Sequence, residues 1–255
     1  EGTASDYKAY AVQGADIITN PVPVQTKTQT QRISFIGNIA RNARFGLRIQ
    51  GSAQSEILDI VAQGNVFYGR GNEDAGVSIA YAQRVAIKDN QLINFCYPLL
   101  LSNIGAGNAW NSAKYIDFEG NSIYGGYGCL LYGNVGGSFT NNKVYNQISH
   151  AVRLYGWKNC NASNNTFVNL GYNTAASAIV LYSCGSECTG NNLIGNKAMD
   201  DRPIKYTDHV VLLTGNADYN IAVGNNAYGA RRGARGAHNV GSGSNNVIAN
   251  NIDAQ

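Results

Sequence analysis

The sequence predicts an all-β protein, a single-stranded right-handed parallel β-helix solenoid of about nine coils with an internal asparagine ladder. Two observations carry this. Nine asparagines, Asn38, Asn65, Asn90, Asn121, Asn142, Asn165, Asn192, Asn226 and Asn251, recur at uneven intervals of 21 to 34 residues. Each follows a short apolar strand and a small or polar residue, as in Gly64-Asn65-Val66-Phe67, Gly120-Asn121-Ser122-Ile123 and Asn164-Asn165-Thr166-Phe167. In addition, a second apolar strand recurs in each interval, as Leu47-Arg48-Ile49, Val77-Ser78-Ile79, Leu99-Leu100-Leu101, Cys129-Leu130-Leu131, Val152-Arg153-Leu154, Ile179-Val180-Leu181 and Val210-Val211-Leu212. β-Branched and aromatic runs punctuated by Gly, Asn and Ser argue strands, and the uneven period argues corners that carry loops, not a helical hairpin array.

Each part of a coil has a physical reason. Gly46, Gly76, Pro98, Gly128, Ala151 and Ala178 precede the second strand, small or rigid residues that suit a tight corner. Asn tolerates left-handed dihedrals, and its amide both donates and accepts, so asparagines stacked at one corner can bond from coil to coil. Their role is to build the scaffold. Echoing asparagines often follow four residues later, as Asn94, Asn146, Asn169 and Asn196. A third strand is expected in the irregular remainder, and stacking at ~4.8 Å per coil gives a rod about 40 Å long. Residues 1–31 lack the repeat and are expected to cap or lead into the solenoid of residues 32–255. The last repeat has nothing after it, so its core and strand edge are expected to be covered by further chain or by a partner.

Composition fits one turn-rich β domain: 14% of the chain is charged and 30 of its 255 residues are Gly. A net charge of +3 supplies no field for nucleic acid, and Arg231, Arg232 and Arg235 read as a solvated loop. No apolar run is long enough for a membrane span. The five cysteines show no metal spacing, and no cofactor motif is present. Cys129 and Cys160 read as buried thiols, Cys184 and Cys188 are the close pair in which a disulfide is conceivable, and an odd thiol count suits folding in a reducing compartment.

Candidate functional residues lie in the outward columns. Positions two before the asparagines read Ile36, Gln63, Lys88, Glu119, Thr140, Ser163, Gly190 and Gly224, and positions four before read Ser34, Val61, Ala86, Asp117, Ser138, Asn161, Cys188 and Ala222. Asp117 and Glu119 therefore share one strand face, with Lys88 one coil below Glu119. Two carboxylates at this spacing can serve glycosidic hydrolysis, one protonating the leaving oxygen and one activating water or attacking. The bland alternative is a solvated strand with a Lys88–Glu119 ion pair. Asp59 falls between Arg32 and Arg84 and reads as structural.

On the second strand the outward column is Gln50, Ala80, Ser102, Tyr132, Tyr155, Tyr182 and Leu213. Three tyrosines on successive coils offer a platform for sugar rings, or merely stack to stabilise the sheet. Arg153 shares their face and suits an acidic sugar, and His150 is a candidate base for a lyase, although His209 at an equivalent place reads as a corner. Two insertions, Ser102 to Ala113 with Trp110 and Lys197 to Asp208 with Asp200, Asp201 and Arg202, are long enough to carry binding.

The asparagine-centred coils, the small-residue corners before the second strands and the closing Ser-Asn-Asn-Val-Ile-Ala-Asn-Asn resemble right-handed parallel β-helix proteins of the pectate-lyase-like superfamily, and the β-helical bodies of phage tailspike depolymerases. The resemblance covers residues 32 to 255. It implies a polysaccharide ligand, a homotrimer, and an extracellular or virion-surface setting. Neither the paired-Asp signature of polygalacturonases nor the calcium site and arginine motif of pectate lyases is present, so no catalytic residue is carried over. The expectation is a protein that binds and cleaves an extracellular polysaccharide through Asp117 and Glu119, with Lys88, Tyr132, Arg153, Tyr155, Tyr182 and Trp110 contacting the ligand. A lyase, a uronate epimerase and a non-enzymatic carbohydrate-binding spike stay open.

Overall fold

Alternation of side chains shows how the strands lie. In Ala113–Glu119 the side chains of Ile116 and Phe118 are fully buried while Asp117 and Glu119 project outward, the period-two pattern of a strand with one face on a core. A computed structural model describes residues 15–18, 30–51, 57–71, 75–102, 113–183 and 187–255, with side chains from Ile33 onward, and among the described residues there is no helix. The strands coil into a parallel β-solenoid with three sheets.

Sheet 1 holds the strands that end before the ladder asparagine, running from Thr30–Ile36 through Ala82–Lys88, Ala113–Glu119, Ser138–Thr140 and Asn192–Ile194 to Val247–Ala249. Sheet 2 follows the asparagine, from Ile39–Ala43 through Ser122–Tyr124, Lys143–Tyr145 and Thr166–Val168 to Lys197–Met199. It is the third strand of the coil, and at three to five residues it is too short to show a period in sequence. Sheet 3 runs from Ala15–Ile18 through Phe45–Gln50, Cys129–Tyr132, Val152–Tyr155, Ala176–Tyr182 and Thr207–Thr214 to Arg235–Asn239. The seven strands of sheet 2 set about seven complete turns where nine were expected. Beyond them sheet 2 thins to single bridges, Lys197 to Asn226 and Asn226 to Ile252.

The corner between sheets 1 and 2 carries the ladder. Its members are Asn38, Asn65, Asn90, Asn121, Asn142, Asn165, Asn196, Asn225 and Asn251, so Asn196 and Asn225 stand where Asn192 and Asn226 were expected. Asn121 shows the unit. Its Nδ2 donates to Asn142 Oδ1 at 3.0 Å and to the Ile87 carbonyl at 2.8 Å, and its Oδ1 accepts from both the backbone N–H and Nδ2 of Asn90 at 3.0 Å. The residue before each ladder asparagine is left-handed, from φ 54° at Asp89 and Asn250 to φ 68° at Gly37, which explains why Gly, Asn and Asp fill that place.

A second ladder, unforeseen in the sequence, runs where sheet 1 resumes after a left-handed bend. Asn191 donates to Asn220 Oδ1 at 2.9 Å and Asn220 to Asn246 Oδ1 at 3.1 Å. Cys160, a buried thiol as expected, begins this column. Its N–H donates to Asn191 Oδ1, and its thiol donates to the Asn134 carbonyl at 3.3 Å, just as Nδ2 of Asn191 donates to the Trp157 carbonyl on the next rung. Burial pushes the Cys160 and Cys129 thiols up to about 12 and the Cys188 thiol up to about 11. Cys96, Cys129, Cys160 and Cys188 are free buried thiols, so Cys188 forms no disulfide, and Cys184 lies outside the described residues.

Inside the solenoid each sheet contributes stacked apolar columns, such as Ile87, Phe118, Phe139 and Leu193 from sheet 1, Phe67, Leu92, Ile123 and Phe167 from sheet 2, and Ile49, Ile79, Leu131 and Leu181 from sheet 3. At the corner leading into sheet 3, Gly128 has φ 110°, and any Cβ there would strike the His150 carbonyl of the next rung. Rungs at this corner are that close, hence the run of small residues.

Moving the ladder to Asn196 and Asn225 also moves the last outward columns. The column of Lys88 and Glu119 continues through Thr140 and Ser163 to Ile194 and Val223, not to Gly190 and Gly224. The column of Asp117 continues through Asn161 to Asn192 and Ile221, while Cys188 and Ala222 face the core. On sheet 3 the tyrosine column ends on Thr214, and Leu213 is buried.

Candidate functional site

Sheet 1 places Asp117, Glu119 and Lys88 as the register predicts. Asp117 lies beside Ala86 and Ser138, and Glu119 lies beside Lys88 and Thr140. Glu119 Oε2 is 2.8 Å from Lys88 Nζ, and this partner holds the Lys88 ammonium above its usual range. Asp117 Oδ1 accepts a 2.7 Å hydrogen bond from the Ser138 hydroxyl. Both carboxylates therefore face outward with one partner each. Asp59 binds Arg84 at 2.5 Å across adjacent left-handed bends, with φ 59° and 54°, which makes it a scaffold contact; the Arg32 side chain lies outside the described residues.

Sheet 3 carries the tyrosines on a different face from these acids. Tyr132 and Tyr155 stack with centroids 4.4 Å apart and planes 11° from parallel, whereas Tyr155 meets Tyr182 edge-on at 5.4 Å. The stack turns the faces of Tyr132 and Tyr155 toward one another, and Tyr182, 42% exposed, is the ring that opens to solvent. Arg153 shares this face and donates to Ser149 Oγ at 2.6 Å. His150 accepts the Ser177 backbone N–H on Nδ1 at 2.8 Å, and burial, with help from Arg153, lowers it to about 4. It is a neutral imidazole serving a corner. His209 shares its column two strands on, faces His238 at 3.3 Å, and pairs with Asp208, which also binds Arg231.

A feature missed in the sequence lies on sheet 2 and at the corner between sheets 2 and 3. Tyr124 and Tyr145 stack at 4.9 Å and 6° on the outer face of sheet 2. At the corner that follows, Tyr127, Ile148 and Tyr172 are 48%, 40% and 69% exposed on consecutive rungs, tied by bonds from Ile148 N to Gly126 O and from Tyr172 N to Ile148 O. Between Ile148, Tyr172, Asn169 and Arg202 is a concavity of about 110 Å³. Residues from three coils meet there, which no single repeat reveals.

The stretch Lys197 to Asp208, expected as an insertion, opens with the sheet 2 strand Lys197–Met199 and closes in the sheet 3 strand Thr207–Thr214, and the loop between them forms one wall of that corner. Asp200 is buried and receives Arg202 Nε at 2.8 Å and Nη2 at 2.6 Å, the backbone N–H groups of Tyr206 and Thr207, and the Thr207 hydroxyl. Arg202 reaches back one rung to the carbonyls of Leu170 and Gly171. Burial by itself would raise the Asp200 carboxyl, but these donors together lower it to about 2. Asp200 thus supplies no catalytic acid; it pins the loop. A fall from 3.8 to about 2 is worth about 2 kcal/mol. A depressed carboxyl contributes fully above its unfolded pKa and loses that contribution as pH falls through the folded value. Asp200→Asn should therefore lower the melting temperature by about 5 °C near neutral pH, with the gap from wild type closing between about pH 4 and pH 2, read by thermal melts across that range.

Trp110 lies outside the described residues. Among the described residues no group of three or more His, Cys, Asp and Glu side chains can hold a metal ion, and no helix is long and apolar enough to cross a membrane. Comparison with protein-family models and with curated proteins finds no match to this chain.

Proposed function

We propose that the protein binds an extracellular polysaccharide along the side of the solenoid, on sheet 3 and the corner that leads into it. The observation that carries this reading is the corner itself. Tyr127, Ile148 and Tyr172 present apolar surface on three consecutive rungs beside a concavity rimmed by amides, with the open ring of Tyr182 on the adjoining face. Rigid aromatic rings with polar tips suit sugars, whose ring faces are apolar and whose edges are hydroxylated. A solenoid supports such binding because its backbone is already ordered, so little entropy is lost when the ligand docks. Resemblance to tailspike depolymerases and pectate-lyase-like proteins adds the setting outside the cell or on a virion, and the homotrimer.

A second reading is hydrolysis at Asp117 and Glu119, favoured by their shared outward face on Ala113–Glu119. In this reading one carboxyl would protonate the leaving oxygen and the other would attack or activate water, with Glu119 held by Lys88 and Asp117 by Ser138. Incubation with a panel of bacterial surface and plant polysaccharides, following reducing ends and the ultraviolet absorbance of unsaturated uronates, separates the readings. Reducing ends that fall at least ~100-fold in Asp117→Asn and in Glu119→Gln establish the hydrolase. Polymers bound but uncut leave a binding protein, and absorbance would instead indicate a lyase.

A further inference from the structure

We infer that His209 and His238, in contact on the outer face of sheet 3, form an acid-released latch that holds the strand Arg235–Asn239 onto the solenoid. The latch is a device of the fold and does not rest on the polysaccharide reading.

The strand itself shows why its outer face matters. It pairs in parallel with Thr207–Thr214, and opposite Val211 and Leu213, both fully buried, it sets Ala237 and Asn239, which are only half-buried. Apolar burial, the main hold on the other rungs, contributes little here. A segment with few buried apolar contacts opens more readily than the core, and contacts on its outer face carry more of its attachment.

Those contacts run in a chain. Asp208 Oδ1 binds Arg231 Nη2 at 2.7 Å, and Asp208 Oδ2 lies 3.1 Å from His209 Nδ1, which is also 3.4 Å from Ser177 Oγ. His209 Nε2 lies 3.3 Å from His238 Nδ1, with the two rings stacked at 5.3 Å and 23°. With the Nδ1–H of neutral His209 directed to Asp208, its Nε2 offers a lone pair that accepts the His238 N–H. The contact survives one added proton, since one ring still donates and the other accepts. Two protons set N–H against N–H.

The charges around the pair oppose that second proton. Arg235 is the register partner of His209, and Asp208 is already shared with Arg231. Asp253, the other acid near His238, accepts the Gly236 N–H at 2.8 Å. His150, beyond Ser177, is a buried neutral imidazole. Burial lowers both rings. At His209 the Asp208 charge opposes this while His238, Arg235 and Arg231 add to it, and at His238 Arg235 adds to it while Asp208 and Asp253 oppose. A histidine lowered by folding stabilises fully above its unfolded value of 6.5 and loses that contribution as pH falls from there toward the folded value. Detaching the strand frees the rings to take up protons, so opening gains up to about tenfold per pH unit for each proton bound.

The test is hydrogen exchange of the whole chain between about pH 7.5 and about pH 5, corrected for the intrinsic pH dependence of exchange. Protection of Arg235–Asn239 should fall at least about tenfold while Val152–Tyr155 stays protected. His238→Gln, which keeps a donor and an acceptor but takes no proton, should reduce the fall, and His209→Gln/His238→Gln should limit it to about threefold or less. A readout without substitutions is the His238 ring resonance, which should titrate over the interval in which the strand loses protection. Equal protection at both ends of the range, a fall that the double variant retains, or a fall that comes only together with Val152–Tyr155 would overturn the latch.

Discussion

Asn121→Ala should destabilise the solenoid by about 4 kcal/mol, while Asn192→Ala should change stability by less than about 0.5 kcal/mol. Both asparagines satisfy the same sequence pattern. Asn121 is fully buried, and without its amide the Asn90 N–H loses its acceptor and the Ile87 carbonyl loses a donor, deep in the corner between sheets 1 and 2. Each such orphan costs about 1 to 3 kcal/mol, and a small cavity adds to it. Asn192 sits on the exposed face of sheet 1 in the column of Asp117 and has no ladder bond to lose. Asn121→Asp should be as damaging as Ala, since a carboxylate keeps the bonds from Asn90 but turns lone pairs toward the Ile87 carbonyl and Asn142 Oδ1. Denaturant melts of the variants read this directly. Because each rung contacts only its neighbours, the Asn121 variants should also unfold less cooperatively.

Tyr182→Ala and Tyr155→Ala should separate, one lowering polysaccharide affinity and the other lowering stability. The Tyr182 ring is 42% exposed and meets its neighbour only by an edge, so its loss should weaken binding about 5- to 30-fold, or about 1 to 2 kcal/mol, with little change in melting. Tyr155 lies between Tyr132 and Tyr182, so its removal breaks both ring contacts and should cost about 1 to 2 kcal/mol of fold stability. Affinity electrophoresis in polysaccharide gels, paired with melting curves, measures both. If Tyr155→Ala weakened binding as much as Tyr182→Ala and left melting unchanged, the tyrosine column would be a platform along its whole length.

The contrast between Asn121 and Asn192 also shows what was legible in the sequence. Where the asparagine stands alone, as at Asn65, Asn90 and Asn121, its pattern finds the ladder, and through it the columns that put Asp117, Glu119 and Lys88 together and align Tyr132 with Tyr155 and Tyr182. At Asn191-Asn192 and Asn225-Asn226 the pattern offers two adjacent asparagines, and Asn196 looks like an echo of Asn192. Two ladders then run in parallel, and a local pattern cannot tell which amide faces inward. A one-residue error in a strand reverses every side chain, which is why Gly224 and Leu213 were misplaced, whereas Gly190 followed the four-residue shift from Asn192 to Asn196. Cys160 is the buried thiol the sequence suggests, but its place at the head of the second ladder was hidden, since a thiol can replace an amide donor to a carbonyl and still look apolar. The corner concavity was illegible because Gln147, Asn169 and Arg202 belong to different coils and share no motif.

The most direct test of polysaccharide binding at this surface is a calorimetric titration of a polysaccharide panel against the wild type and the Tyr172→Ala/Tyr182→Ala double variant. At least one polymer should bind the wild type, and the variant should lose that binding while keeping the wild-type melting curve. A panel that binds neither protein, or a polymer that binds both equally, would contradict the assignment of sheet 3 and its leading corner as the carbohydrate surface.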